Sequence, residues 1–445
     1  MFIFPKGLYA DVRIEESYNS WLNVWNDDVH GDSSTTEAGA IVRVYDGKMW
    51  YTMTTNNLDE IQKEIDNLAT LATPNPDIEN DPMVKKLQVN KDVNLHFAKE
   101  GNVKDVTRDE WKELVDYYIE KCIDKSIPEI NSWGVFANCG YTKKSFYSSK
   151  GSEIVQDVQN CWLGVTYNIT VDGVTTNGGK YYSKLYKADL EGHEEEVLKE
   201  RDRYLDYAKN AVQAEAGTYT CILSPVTTAM FAHESFGHKS EADFMLNDKT
   251  LQEEWEMGKK VGSDLVSICD RGDLINHGYA PYDDEGTKAG TCWLMKNGVL
   301  TGRLHDANSA AILNEELTGN ARAESYQYAP IVRMTNTFIE KGKDDPQKMI
   351  EEIKDGIYIY NVEHGTGQAT FTMKPGISYR IRDGKLCEPL RINVLTGSVF
   401  ETLFDIDAVG SDFELFDSFT CGKGGQGMAV SAGGPSIRVK KLTVN

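Results

Sequence analysis

The segment Phe231-Ala232-His233-Glu234-Ser235-Phe236-Gly237-His238 closes an apolar run with two imidazoles and a carboxylate inside six residues. It restricts the backbone that carries it, because two rings can grip one ion only from a common side. In zincins the two histidines stand four apart on one helical face, and the intervening Glu is free to act as general base. Here they stand five apart. At about 100° per residue, a regular helix would turn the two rings roughly 140° away from each other. A single i→i+5 turn, a π-bulge, restores the shared face. Gly237, directly before the second His, is a residue type that tolerates such a distortion. The spacing therefore implies either a locally unwound helix or no shared ion.

Two histidines do not hold a metal alone, since catalytic zinc sites usually take three protein ligands and leave a position for water. The local candidates for a third are Glu241 and Asp243; the remote ones are His305, His364 and the cysteines. Among these, Thr420-Cys421-Gly422-Lys423-Gly424-Gly425-Gln426-Gly427 is the most suggestive. Its glycines let the backbone approach another element closely, and a nearby Lys favours the metal-binding thiolate. The same stretch spells G-x-G-x-x-G, but only 18 residues follow and none is Asp or Glu to hold a ribose, so a dinucleotide loop is excluded. Read without further context, His305-Asp306 is a surface or helix-start pair and His364 a turn residue.

At 445 residues the chain has room for two or three domains. The 69 acidic against 47 basic residues give a net charge of −22, which repels a phosphate backbone, and no basic patch offsets it. Direct nucleic-acid binding is therefore not expected. No apolar run approaches the roughly 18 residues of a spanning helix, and Met1 to Gly7 is too short for a signal-peptide core, so no membrane association and a cytoplasmic location are expected. The eight cysteines lack any C-x-x-C spacing, which fits a reducing compartment.

Strand patterns run from Ala10 to Thr55, with a hairpin turn at Asp46-Gly47, and a helix follows from Leu58 to Leu71 behind Asn57. Residues 73–106 open with Thr73-Pro74-Asn75-Pro76 and read as a connection. Thr107-Arg108-Asp109-Glu110 is a capping box ahead of a helix to Asp124. A meander follows between Ser132 and Leu185, with turns at Asp172-Gly173 and Asn177-Gly178-Gly179, then a polar helix within Glu191 to Ala216. The expected organisation is α+β: an N-terminal domain of strands and helices over 1–215, and a strand-rich C-terminal domain over 216–445. In the latter, Ser224-Pro225 starts the helix that carries the His-Glu segment.

Four segments together resemble the TldD branch of the TldD/PmbA proteins, once called modulators of DNA gyrase and regarded as metal-dependent peptidases. They are His233 to His238, the pair Thr318 to Tyr326 and Pro330 to Thr337, and Cys421 to Gln426. The resemblance implies that His233, His238 and Cys421 ligate one metal ion per chain, zinc or alternatively iron, with Glu234 as general base. It also implies hydrolysis of unfolded or extended peptides, including peptide maturation, and assembly with a PmbA/TldE-like subunit or as a homodimer. Metal-activated water deprotonated by Glu234 is the implied mechanism; a peptide added as a strand to a sheet edge is the expected mode of substrate binding. Arg322, Arg333 and Lys423 are candidates for oxyanion or peptide contacts, with buried ion pairing the plainer role for the arginines. The alternatives are a non-catalytic, metal-containing regulatory subunit of the gyrase-modulator type and an iron-dependent oxidoreductase.

Overall fold

Alternating apolar and polar residues from Tyr9 onward build the first strand, Tyr9–Trp25, which returns as Asp28–Tyr45. Asn26 and Asp27, at φ 49° and 73°, make the two-residue turn between them. The structure, a computed structural model, describes residues 2–367 and 369–445. These two strands belong to a seven-stranded sheet that also holds Trp50–Thr55, Lys91–Asn94, Ile130–Ser148, Glu153–Val171 and Val174–Lys184. Helices Arg108–Cys122 and Glu194–Asn210 cover one of its faces, burying Leu22, Val135 and Cys161 against Trp111 and Tyr118. The capping box forms as the sequence predicts, with Thr107 and Glu110 each satisfying the other's backbone.

Two expectations are revised by long-range packing. Residues 73–106 carry the helix Pro82–Lys86, capped by Asp81, and the strand Lys91–Asn94, which pairs parallel to Glu153–Val171. Asn177-Gly178-Gly179 is not a turn but lies inside the strand Val174–Lys184. The Tyr204 ring packs so closely on Gly178 that a Cβ there would sit 2.4 Å from it.

The C-terminal half holds a ten-stranded and a six-stranded sheet, giving the α+β class. Strand Gly217–Leu223 lies inside the larger sheet, between Ile437–Val444 and Asp355–Ile359. The larger sheet ends at the edge strand Val362–Gly367, paired on one side to Thr370–Pro375. The smaller sheet ends in the hairpin Glu414–Lys423 and Gln426–Gly434. Helix Pro225–Phe231 packs against both sheets over a core that includes Phe231, Phe236, Phe371 and Val430. Buried ion pairs join the halves: Arg13 and Lys144 of the N-terminal sheet meet Asp284 at 3.7 and 2.9 Å. Among the described residues no helix is long and apolar enough to cross a membrane.

Candidate metal centre

Strand Gly217–Leu223 delivers the chain to Ser224, whose hydroxyl accepts from the Thr227 N–H and caps a helix with Pro225 in its first turn. The α-helix lasts only to Phe231. From Ala232 to Gly237 the backbone is a π-helix, and the His238 N–H donates to the His233 carbonyl, five residues back. That bond puts the two histidines on one side. Their ring centroids are 5.1 Å apart with planes at 77°. Gly237 itself has φ −58° and ψ −57°, which any residue adopts. It is required instead for space: a Cβ there would lie 2.1 Å from the Met334 sulfur.

Cys421 arrives from the far end of the chain. The stretch read as a glycine loop is a hairpin tip, with Gly424 and Gly425 at φ 60° and 78° turning the strand of Cys421 back. The buried Arg333 guanidinium donates to the carbonyls of Cys421 and, at 3.2 Å, of Gln426, so it fixes both strands of the tip. One donor atom each from His233, His238 and Cys421 then lies within 4.8 Å of the others. His238 Nε2 is 3.4 Å from Cys421 Sγ.

The two imidazoles differ in electrostatics. Burial, then the charges of His238 and Arg333, push the His233 pKa down to about 3, so its ring is neutral. For His238 burial also opposes charge, but the Cys421 sulfur and the Glu241 carboxylate outweigh it and carry the pKa up to about 10. Glu241 Oε2 holds His238 Nδ1 at 3.2 Å, which leaves Nε2 facing the sulfur. Glu241 is in turn held by Lys423 Nζ at 3.1 Å, and Lys423 also bonds Asp243 at 2.8 Å and the Val332 carbonyl at 2.9 Å.

Glu234 and His238 line a cleft of about 430 Å³, together with Phe244, Thr366, Gly367 and Gly422. Burial raises the Glu234 pKa, with the His238 charge opposing. The edge strand Val362–Gly367 runs against this segment, and a Cβ on Gly367 would meet the Glu234 carbonyl at 2.7 Å.

The structure thus brings together His233, Glu234, His238 and Cys421, and separates the other candidates from them. Glu241 and Asp243 serve Lys423 and His238. His305 is not at the surface but 1% exposed, bonded to Ser309 at 3.0 Å and Glu315 at 2.8 Å, while Asp306 caps a helix. His364 lies in the edge strand rather than in a turn. Arg322 and Arg333 are buried and bond to backbone carbonyls instead of carboxylates. Sequence reasoning missed the orienting role of Glu241, for which the i, i+3 spacing to His238 was a usable signal.

The family model for the PmbA/TldA metallopeptidase C-terminal domain matches residues 216–445, and that for domain 1 matches residues 10–72. A metalloprotease of Synechocystis sp. is 30% identical over 98% of this chain and 94% of its own. A zinc metalloprotease TldD homolog of Saccharolobus solfataricus is 30% identical over 77% of each. Among solved structures, TldE from Thermococcus kodakarensis superposes with a TM-score of 0.76 at 16% identity, covering 98% of this chain and 96% of that one, a likeness of fold.

Proposed function

The chain belongs to the PmbA/TldD metallopeptidase family, and from that premise we propose that it hydrolyses extended peptides at a single metal held by His233, His238 and Cys421, with Glu234 as general base. The observation that carries the proposal is the convergence of those three donors, one of which, His238, lines the same cleft as Glu234. The His238–Cys421 pair has the spacing of two ligands of a tetrahedral ion. An N and an S bound at usual zinc distances stand about 3.6 Å apart, against 3.4 Å between His238 Nε2 and Cys421 Sγ. His233 Nδ1 is moreover a buried polar atom with no hydrogen-bond partner among the described residues.

Zinc, which the name of the Saccharolobus relative carries, would polarise the scissile carbonyl and lower the pKa of water when bound; a His/His/Cys set also suits iron. Glu234 takes the proton of the attacking water and passes it to the leaving amine. Its burial supports both roles, because a raised pKa brings the carboxyl nearer to a working pH. Among the described residues the edge strand Val362–Gly367 pairs with a strand on one side only and runs beside Glu234, so a peptide added as a further strand would be held without regard to its side chains. Three donors and an adjoining cleft favour catalysis over a structural site, which four ligands would close. The likeness to a TldE supports a partner of that type or a second copy.

The test compares wild type with Glu234→Gln for metal content and cleavage of an unfolded peptide, alone and with a PmbA-like partner. Glu234→Gln should keep the metal and lose cleavage; undiminished cleavage would sink the mechanism. Cys421→Ala should lose the metal, and unchanged occupancy would remove Cys421 from the ligand set.

A further inference from the structure

The face of the N-terminal sheet opposite its helices has an unusual composition. In register, Asn19 stands beside Gly140 and Gly140 beside Asn160; the next row is Trp21, Asn138 and Trp162. Asn23 follows two residues beyond Trp21 on the same face. Asparagine is disfavoured in strands, since its amide competes with the ladder and packs poorly on a pleated surface. Here four lie in adjacent strands on one face. Among the described residues none of their side-chain amides has a hydrogen-bond partner, whereas the flanking row closes on itself, Ser17 to Thr142, at 3.1 Å.

These residues line a groove of about 480 Å³ whose far wall is His277, Thr420 and Ala429 of the C-terminal half. No Lys, Arg, Asp or Glu lines this groove, whereas the adjoining cavity, which shares Asn19, Asn160, His277 and Ala429 with it, carries Glu15, Lys144, Asp284 and Arg322. His277 is 7% exposed, its ring stands edge-on to Trp162 with centroids 5.0 Å apart, and its Nδ1 meets Ser183 Oγ at 3.3 Å. Its Nε2 has no hydrogen-bond partner of good geometry among the described residues. Burial and the Arg322 charge hold this imidazole neutral, its pKa down to about 4 against a weaker pull from the Phe419 carbonyl.

We propose that this groove is a second peptide site, which takes an extended, uncharged segment of the substrate away from the bond that is cut. The occupant follows from the peptidase proposal, on which this inference rests, and from three features of the groove. Amides present a donor and an acceptor together, as a peptide main chain requires. Along the first strand Asn19, Trp21 and Asn23 repeat every second residue, about 6.8 Å, which is also the two-residue repeat of an extended chain. Side chains on the bound segment lie on the Trp21 and Trp162 rings, while an ionic side chain within the groove itself would meet no counter-charge, the charged groups standing in the adjoining cavity. Thr420 adjoins Cys421 in sequence, so the occupant touches the hairpin that carries the candidate ligand without entering the cleft of Glu234.

The experiment titrates the metal-free full chain with a long capped peptide of alternating Thr and Ala, reading intrinsic tryptophan fluorescence, and repeats it for Asn138→Asp/Asn160→Asp. Wild type should show a saturable change, and the double variant a Kd higher by about tenfold or more, as loss of two hydrogen bonds implies. Asn138→Ala/Asn160→Ala serves as the second variant if the aspartates disturb the sheet. In metal-loaded protein, KM for the long peptide should rise similarly while kcat, and all constants for a short peptide, stay unchanged. Equal binding by wild type and both variants overturns the proposal. So does a saturable response to maltohexaose but not to the peptide, or a shift from dimer to monomer on sedimentation, which would make the face a contact between copies. The fluorescence arm needs neither metal nor cleavage, so intact binding without cleavage would refute the peptidase proposal alone.

Discussion

Gly237→Ala separates two reasons for a glycine inside the π turn. If the residue supplied backbone freedom, alanine would strain the turn itself; its φ of −58° and ψ of −57° say otherwise. The obstacle is the Met334 sulfur, 2.1 Å from where the new Cβ would lie, against about 3.5–4.0 Å for atoms in contact. Met334 is fully buried and cannot swing into solvent. Overpacking of that kind costs about 1–3 kcal/mol. Replacing a helical Gly by Ala returns about 1 kcal/mol of backbone entropy. The expected net loss is therefore about 0–2 kcal/mol in urea unfolding. In a Met334→Ala background, itself costing about 2–5 kcal/mol, the added methyl enters a vacated space and the sign reverses. There Gly237→Ala should stabilise by about 1 kcal/mol or more. The assay is a double-mutant cycle on urea midpoints with circular dichroism. Equal destabilisation in both backgrounds, or none in either, would refute the packing account and return the glycine to a conformational role.

Two other substitutions report on charge. Glu241→Gln keeps the shape beside His238 Nδ1 but removes the carboxylate that orients the ring, while Lys423 retains Asp243 and the Val332 carbonyl. Metal affinity by chelator competition should fall about 10–100-fold with the fold intact. Asp417, on the Cys421 strand, has its pKa pushed up to about 6 by burial, against the Ser431 hydroxyl and Lys184. The folded state thus binds the proton more tightly than the unfolded chain, so stability falls as pH rises from about 4 to about 6. Asp417→Asn should be the more stable protein above about pH 6, by at most about 3 kcal/mol, and the advantage should vanish below about pH 4 in thermal melts at graded pH.

What could be read in the sequence was local. The five-residue spacing of His233 and His238 left two outcomes, an i→i+5 turn or no shared ion, and the backbone has the turn. The Thr107 capping box and the turn at Asp172-Gly173 carried their own chemistry, and both are present. Features decided by distant residues were not legible. Asn177-Gly178-Gly179 has the composition of a turn, but Tyr204 from another element occupies the space above Gly178. The strand Ile130–Ser148 runs unbroken through the poor strand formers Asn138 and Gly140, because these sit on the half-exposed face while Cys139 and Tyr141 continue the buried one. Glu241 was offered as a ligand by position. Lys423, from the far end of the chain, fixes its carboxylate in place beside His238 Nδ1.

The segments that carry the family resemblance divide into two kinds by what they touch. His233, His238 and Cys421 meet one another. Thr318 to Thr337 supplies none of those donors, yet it bonds the hairpin that carries Cys421 at several points. Buried Asp270 accepts from the Thr335 N–H and hydroxyl, the Thr337 hydroxyl and the Asn320 amide, which makes this stretch a fixed base. Arg322 binds the carbonyls of Met334 and Ala429, and Arg333 those of Cys421 and Gln426, so both arginines tie the base to the hairpin. Met334, from the same stretch, fills the space that Gly237 leaves open in the π turn. One short segment thus braces both the helix with the two imidazoles and the strand with the sulfur. Functional constellations tolerate displacements of only about 0.5 Å. Substitution at Arg333 should therefore weaken metal binding through the position of Cys421, although the guanidinium touches only backbone carbonyls.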